Sequence, residues 1–410
     1  MTLQLLVGMY GFFSLAGDWR KHLQKLRENG VTGIRIFCQY AWSRQNVTYT
    51  PFARLKDMKK VDRYAYLPGR RERYIQQGEW VMFRKQSDPK TMLPVYDLDV
   101  LRDEYFERLT DVLSHAEQLG LTVLLEVEDW CSLKGAGIDK YWHPYYVSPQ
   151  AHSTATPEGL FGDALKKYMK NYWENLLNIT DDYPCVQISV MNEYDFHKKN
   201  VTGAAEKTAM LVWYWDSRRF FGEYSTVASA MRYHGEIGGM CDYYSPHGIG
   251  NKESCDREVN QFKKAGYDFP AIPGRTILSG DGFSAGTGIV DFKGRRGITL
   301  KEVPEIAEVI LRNKYVGYEV LIRYKHGHAR GTFEEFQDRY GGYDIVRAFG
   351  ERFGTIPPPL TPTPPPPPPT PPPLPEPPKP VKHSIWHTIF ISIVRWLFGP
   401  NSLWAKIFRK

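Results

Sequence analysis

Eight short apolar runs between residues 3 and 323, separated by amphipathic stretches, constrain this chain more than any other feature of it. The runs lie at 3–10, 32–38, 121–128, 184–191, 224–230, 241–247, 275–281 and 316–323. Helical periodicity is clearest at 18–29, 101–119, 159–178, 204–221, 252–265, 301–313 and 332–350, and a weaker fifth helix is read near 229–238. Buried strands alternating with helices imply a parallel sheet. Eight such units predict a closed (β/α)8 barrel. An open doubly wound sheet is the alternative, but no GxGxxG or P-loop follows an early strand.

Helix boundaries support this. In 101–119, Leu101, Tyr105, Leu109, Val112 and Leu113 recur at helical spacing, and Gly120 stands where a C-terminal cap belongs. Gly30 and Gly266 close two further helices. Long loops follow strand two (42–96) and strand three (129–157), and both are rich in Trp, Tyr, Arg and His. In barrels the connections after strand C-termini build the active site. Aromatics at 14%, with 11 Trp and 26 Tyr, suit a cleft for sugar rings as well as core packing.

The net charge of +7 is located in the tail. From Pro357 onward, Lys379, Lys382, Arg395, Lys406, Arg409 and Lys410 outweigh Glu376 by five charges, which leaves +2 for residues 1–356. A near-neutral domain disfavours nucleic acid as a partner. Five cysteines, an odd number without CxxC spacing, give neither a disulfide framework nor a zinc pattern. His234, Asp242 and His247 match no common metal spacing, so no metal is expected. The N-terminal run lacks the basic residues that open a secretory signal and is read as the first buried strand. It assigns no localisation.

Three segments follow: a barrel domain at 1–356, a Pro-rich linker at 357–380 and a basic tail at 381–410. The linker can only be extended polyproline, ~70–75 Å long at ~3.1 Å per residue. Beyond it, SIWHTIFISIVRWLF and LWAKIFRK set large apolar side chains against a polar, basic stripe. The run is short of the ~20 residues that span a bilayer. Residues 384–410 therefore read as an interfacial helix on a membrane surface, or as a segment that docks on a partner protein.

Chemistry concentrates in PCVQISVMNEYD, where a buried strand ends in Asn192-Glu193. At the end of the fourth barrel strand, Glu193 can protonate a glycosidic oxygen and later deprotonate water, while Asn192 can bond a sugar hydroxyl. With this motif the chain resembles the clan of barrel glycoside hydrolases that carry an acid/base Asn-Glu after strand four, and family 5, cellulase- and mannanase-like, above all. The likeness spans roughly residues 3–350. It includes GVTGIRIF, with Arg35 ending strand two; YDLDVLRDEYFERLTDVLSHAEQLGLTVLLEVEDW, leading into strand three; and DYYSPHGI, with His247 ending strand six.

The resemblance implies a retaining hydrolase of β-linked glycans that needs no cofactor, with a nucleophile after strand seven. RTILSGDGF offers Asp281 there instead of the usual glutamate. Arg35 would hold that carboxylate ionised, and His247, Trp130 and Tyr244 would contact substrate. Strand three ends in Glu126-Val127-Glu128, and strand eight lacks the usual tryptophan, with Glu319, Arg323 and Tyr324 in its place. Glu128 is thus a substrate contact or an alternative second carboxylate, and an Arg35–Glu128 ion pair is the bland alternative. A tethered, catalytically inactive carbohydrate-binding barrel is the competing function.

Overall fold

The computed structural model describes the chain from Leu3 to Pro357, apart from stretches between its elements. The longest of these are 55–63, 130–143, 151–162, 193–219, 231–242, 247–259, 261–275, 285–297 and 323–331. At 64–66, 73–77, 80–84, 91–94, 225–230 and 276–284 it describes the backbone alone. Residues Met1–Pro359 form one compact unit. The Pro-rich linker beyond Pro359 and the tail at 381–410 lie outside the described residues.

Eight strands close a barrel. They are β1 (Gln4–Met9), β2 (Gly33–Phe37), β3 (Thr122–Asp129), β4 (Val186–Asn192), β5 (Ser225–Ala230), β6 (Tyr243–Pro246), β7 (Thr276–Ser284) and β8 (Gly317–Ile322). Every pairing around the ring is parallel, and β8 returns to β1 with Gln4 opposite Gly317. The longer described helices are α1 (Trp19–Glu28), α2 (Asp103–Gln118), α3 (Asp163–Thr180), α4 (Val303–Arg312) and α5 (Gly342–Phe353). Each lies between consecutive barrel strands or after β8, so the architecture is the (β/α)8 barrel expected. The helices read at 204–221, 229–238 and 252–265 fall almost entirely outside the described residues.

Two apolar layers hold it together. Leu5, Val7, Ile34, Ile36, Val123 and Leu125 face outward against Leu23, Leu26, Leu109, Val112 and Leu176 of the helices. Inside the barrel, Leu6 and Leu124 form a separate small cluster, with Val316 against it. Alternation along each strand sends neighbouring residues to opposite sides, which is why the runs are apolar throughout. Asp18 caps α1 by accepting from the Arg20 and Lys21 amides at 3.0 and 3.1 Å. At the other end, Gly30 adopts φ 87° and lies against Gly350 of α5, where an added Cβ would come within 3.0 Å of the Gly350 Cα.

Two expectations need correction. The connection after β2 is not simply a long loop. It pairs Tyr40–Trp42 with Val47–Tyr49 and Phe52–Arg54 with Tyr96–Leu101, and it builds a four-stranded antiparallel meander from 64–66, 73–77, 80–84 and 91–94. Only Gly78 and Glu79 separate Gln77 from Trp80, the spacing of a two-residue hairpin. The single helix read at 332–350 is also broken. A turn at Glu335–Asp338 precedes α5, because Gly341 takes φ 57° and the Phe336 ring lies where a Cβ of Gly342 would stand.

Candidate active site at the mouth of the barrel

Arg35 points inward from β2 and is completely buried. Its Nε donates to Glu126 Oε1 on β3 at 2.7 Å, and its Nη1 donates to both oxygens of Glu319 on β8 at 3.0 and 3.1 Å. Nη2 donates to Asn192 Oδ1 on β4 at 2.5 Å. The guanidinium also lies over the Phe37 ring, 4.8 Å from its centroid. A planar fork of five N–H donors is what such a junction requires. The ion pair weighed in the sequence between Arg35 and Glu128 does not form. Arg35 takes Glu126 and Glu319 instead, because they share its side of the sheet.

Alternation slips by one residue near the ends of β3 and β4. Val123, Leu125 and Val127 belong to the outer layer, and Glu126 meets Arg35 inside. Strict alternation would send Glu128 inward. Instead its Oε1 accepts from Tyr145 at 2.9 Å and from Trp173 Nε1 on α3 at 3.3 Å. On β4, the consecutive Val190 and Met191 both join the apolar core. The strands stay in step, with Glu128 opposite Met191 and Asp129 opposite Asn192. The slip therefore turns Asp129 and Asn192 inward together, and Asn192 Nδ2 donates to Asp129 Oδ1 at 2.8 Å. A local irregularity of this kind re-aims side chains beside active sites.

Glu128 anchors a buried polar knot. Gln39 Nε2 donates to its Oε2 at 3.0 Å and to the Tyr145 hydroxyl at 2.9 Å, while Thr50 Oγ1 reaches Gln39 Oε1 at 3.4 Å. Burial pushes the Glu128 carboxyl up to about 8, against the three donors that favour its charge. The knot ties the connections after β2 and β3 to α3. Among the described contacts, Glu128 is satisfied by the chain's own side chains.

The remaining candidates distribute as follows. Asn192 is the last residue of β4 and faces the Arg35 cluster, so Glu193 is the first residue beyond the strand. Glu193 itself, Trp130 and His247 lie outside the described residues. Trp130 and His247 follow directly on the last residues of β3 and β6. Tyr244 pairs with Ala228 of β5 and Ile277 of β7 through its backbone. Asp281 lies within β7. Asp129, Gln39 and Trp173 were not singled out in the sequence. Only the run Glu126-Val127-Glu128-Asp129, acidic in an otherwise apolar strand, could have drawn attention to the first of them.

The fold has counterparts among solved structures. It is similar to a glycoside hydrolase family 5 enzyme from Prevotella bryantii B14, with a TM-score of 0.51 and 11% identity over 86% of this chain and 96% of that one. The hyperthermostable endo-1,4-β-D-mannanase from Thermotoga petrophila RKU-1 gives a TM-score of 0.49 and 10% identity, covering 86% and 99%. The endo-1,4-β-mannanase from Rhizomucor miehei gives 0.46 and 9%, covering 87% and 95%. No protein-family model matches the chain, and no curated protein matches it by sequence. The first of these structures shares the (β/α)8 fold that the resemblance to family 5 implies.

The pairing of β7 with β8 is irregular at the candidate nucleophile. Ser279 pairs with Tyr318 and Gly282 with Val320, so Gly280 and Asp281 together stand opposite Glu319. One extra residue in β7 makes a bulge at the level of the Arg35–Glu319 pair. Among the described residues, no group of three or more His, Cys, Asp or Glu could hold a metal ion. None of the described helices is long and apolar enough to cross a membrane. Cys38, buried beside β2, is free, and burial pushes its thiol up to about 12, as suits a core residue rather than a nucleophile.

Proposed function

We propose that this chain hydrolyses a β-linked poly- or oligosaccharide, with Glu193 as general acid/base and Asp281 as nucleophile. The observation that carries this reading is the end of β4. The strand terminates at Asn192, whose side chain is turned into the barrel, and the acid is the next residue in the sequence after a strand C-terminus, the end at which barrel enzymes build their sites. The fold it shares with a family 5 enzyme agrees with that assignment.

In the proposed reaction, Asp281 attacks the anomeric carbon while Glu193 protonates the leaving oxygen. Glu193 then takes a proton from the water that releases the covalent sugar. Retention by this route requires carboxylates about 5–5.5 Å apart. Aspartate is one methylene shorter than glutamate, and the bulge at Gly280–Asp281 is the backbone feature that can compensate. His247, Trp130 and Tyr244 bind or orient the sugar, while Arg35 and Asn192, both completely buried, hold the strand ends beneath it. The tail at 384–410 holds the barrel near a surface, with a membrane interface favoured over a docking protein by its Trp, Lys and Arg content.

A non-catalytic, glycan-binding barrel is the second reading, favoured by the aspartate at 281 and by a β8 without tryptophan. Reducing-sugar release from β-glucans, mannans, xylans and galactans separates the two. Wild type should release sugar and Glu193→Gln should not. Glycan binding without turnover, unaffected by Glu193→Gln and Asp281→Asn, would select the second reading.

A further inference from the structure

The sequence offered Glu128 as the extra carboxylate of strand three. The structure turns that side chain toward Trp173 and Tyr145 and brings the next residue inward instead. We infer that Asp129 is a positioning residue of the active site, acting through Asn192. The inference rests on the hydrolase reading above in that the strand end being positioned carries Glu193.

A side-chain amide has two ends of nearly equal shape, and its orientation is set by what they meet. Asn192 meets a partner of opposite sign at each end. Its oxygen accepts from the Arg35 guanidinium, and its NH2 donates to the Asp129 carboxylate. Turned by 180°, the NH2 would face a group that only donates, and the oxygen would face a carboxylate that only accepts. One rotation loses both bonds and creates two repulsions in a site from which water is excluded. Asn192 is completely buried and Asp129 is 1% exposed.

Arg35 is itself held in place by Glu126 and Glu319. Charge-assisted bonds thus run from Glu319 of β8 through Arg35 of β2 and Asn192 of β4 to Asp129 of β3. Without Asp129, Asn192 keeps, among the described contacts, the Arg35 anchor alone and can swing about it. The strand end from which the chain continues to Glu193 then loses its fixed position, and acid catalysis needs a fixed approach.

The test uses the full chain. Asp129→Ala, which removes the acceptor, should lower kcat for glycan hydrolysis by about 100-fold, the effect of a small misplacement, with KM within about threefold. Asp129→Asn retains an oxygen that can accept, and should keep kcat within about tenfold of wild type. Should the alanine variant fail to fold, Asp129→Leu supplies similar volume without an acceptor and carries the same expectation. Unchanged kcat in the alanine or leucine variant would overturn the inference, as would an equal loss in Asp129→Asn.

The Asn192 side-chain amide gives a readout independent of turnover. In 15N-asparagine-labelled protein, its two protons should exchange slowly in wild type, and faster with shifted resonances in Asp129→Ala. If wild type turned over no glycan, the hydrolase reading would fall while these resonances still decided the clamp. Unchanged shifts and exchange in the variant would overturn it.

Discussion

Arg35 and Glu319 meet across β1, with the guanidinium Nη1 within 3.1 Å of both carboxylate oxygens. The strand between them contributes Gly8 opposite Arg35, and a glycine there leaves no side chain in the path of the guanidinium. Both partners are essentially inaccessible to water. A charge so deeply placed is tolerated only with its counter-charges, because its desolvation far exceeds any single bond.

Arg35→Ala should therefore destabilise the barrel by about 3–5 kcal/mol, since it strands Glu126 and Glu319 in the interior. Arg35→Lys keeps the charge but not the fork, and should lose ~1–3 kcal/mol through bonds it cannot make. Urea midpoints at constant slope check both values.

Two buried groups should shape stability against pH in opposite ways. His22, whose Nδ1 lies 2.6 Å from the Tyr343 hydroxyl, is lowered to about 3 from an ordinary 6.5, chiefly by burial. Its contribution is complete above 6.5 and is lost as pH falls toward 3. Glu128 is raised from 4.5 to about 8, so its contribution is complete below 4.5 and is lost as pH rises through 8. Each has a limiting slope of about 1.4 kcal/mol per pH unit. The two cancel between 4.5 and 6.5, which predicts a plateau there with a fall on either side. Denaturation across pH should show the alkaline fall in wild type and its loss in Glu128→Gln, with the acid fall unchanged.

Tyr145→Phe removes a donor to Glu128 and an acceptor from Gln39 in a fully buried knot. The expected loss is ~1–3 kcal/mol. The carboxyl of Glu128 should rise further, because a bond that favours its charge is gone. Thermal unfolding at acid and alkaline pH should show the larger deficit on the alkaline side.

Gly33→Ala probes the floor of the barrel. An added Cβ would stand 2.5 Å from Leu6 Cδ2 and 2.8 Å from the Thr122 carbonyl oxygen, and the second of these is backbone. Overpacking of this kind should destabilise by ~1–3 kcal/mol. Gly120→Ala leaves open space around its Cβ and suffers only from φ 64°, so its smaller loss, read from the same melts, provides the contrast.

Much of this molecule is legible in the sequence because strand burial and helix caps are local properties. The run at 121–128 becomes Thr122–Asp129, and the run at 184–191 becomes Val186–Asn192, each displaced by a residue or two. Gly30 and Gly120 end their helices where the pattern expects them. The meander at 64–94 was missed because its aromatic and basic residues hide the period-two alternation that marks a strand.

The sequence alone determined the eightfold alternation and Asn192-Glu193 at the end of the fourth strand. Those follow from periodicity, which each segment carries by itself. Only the tertiary structure decided which acid Arg35 meets, which side Glu128 faces, and that Asp129 rather than Glu128 joins Asn192. A slip of one residue reverses the side a strand residue faces, and such a slip is set by packing between neighbouring strands rather than by the residues of either one.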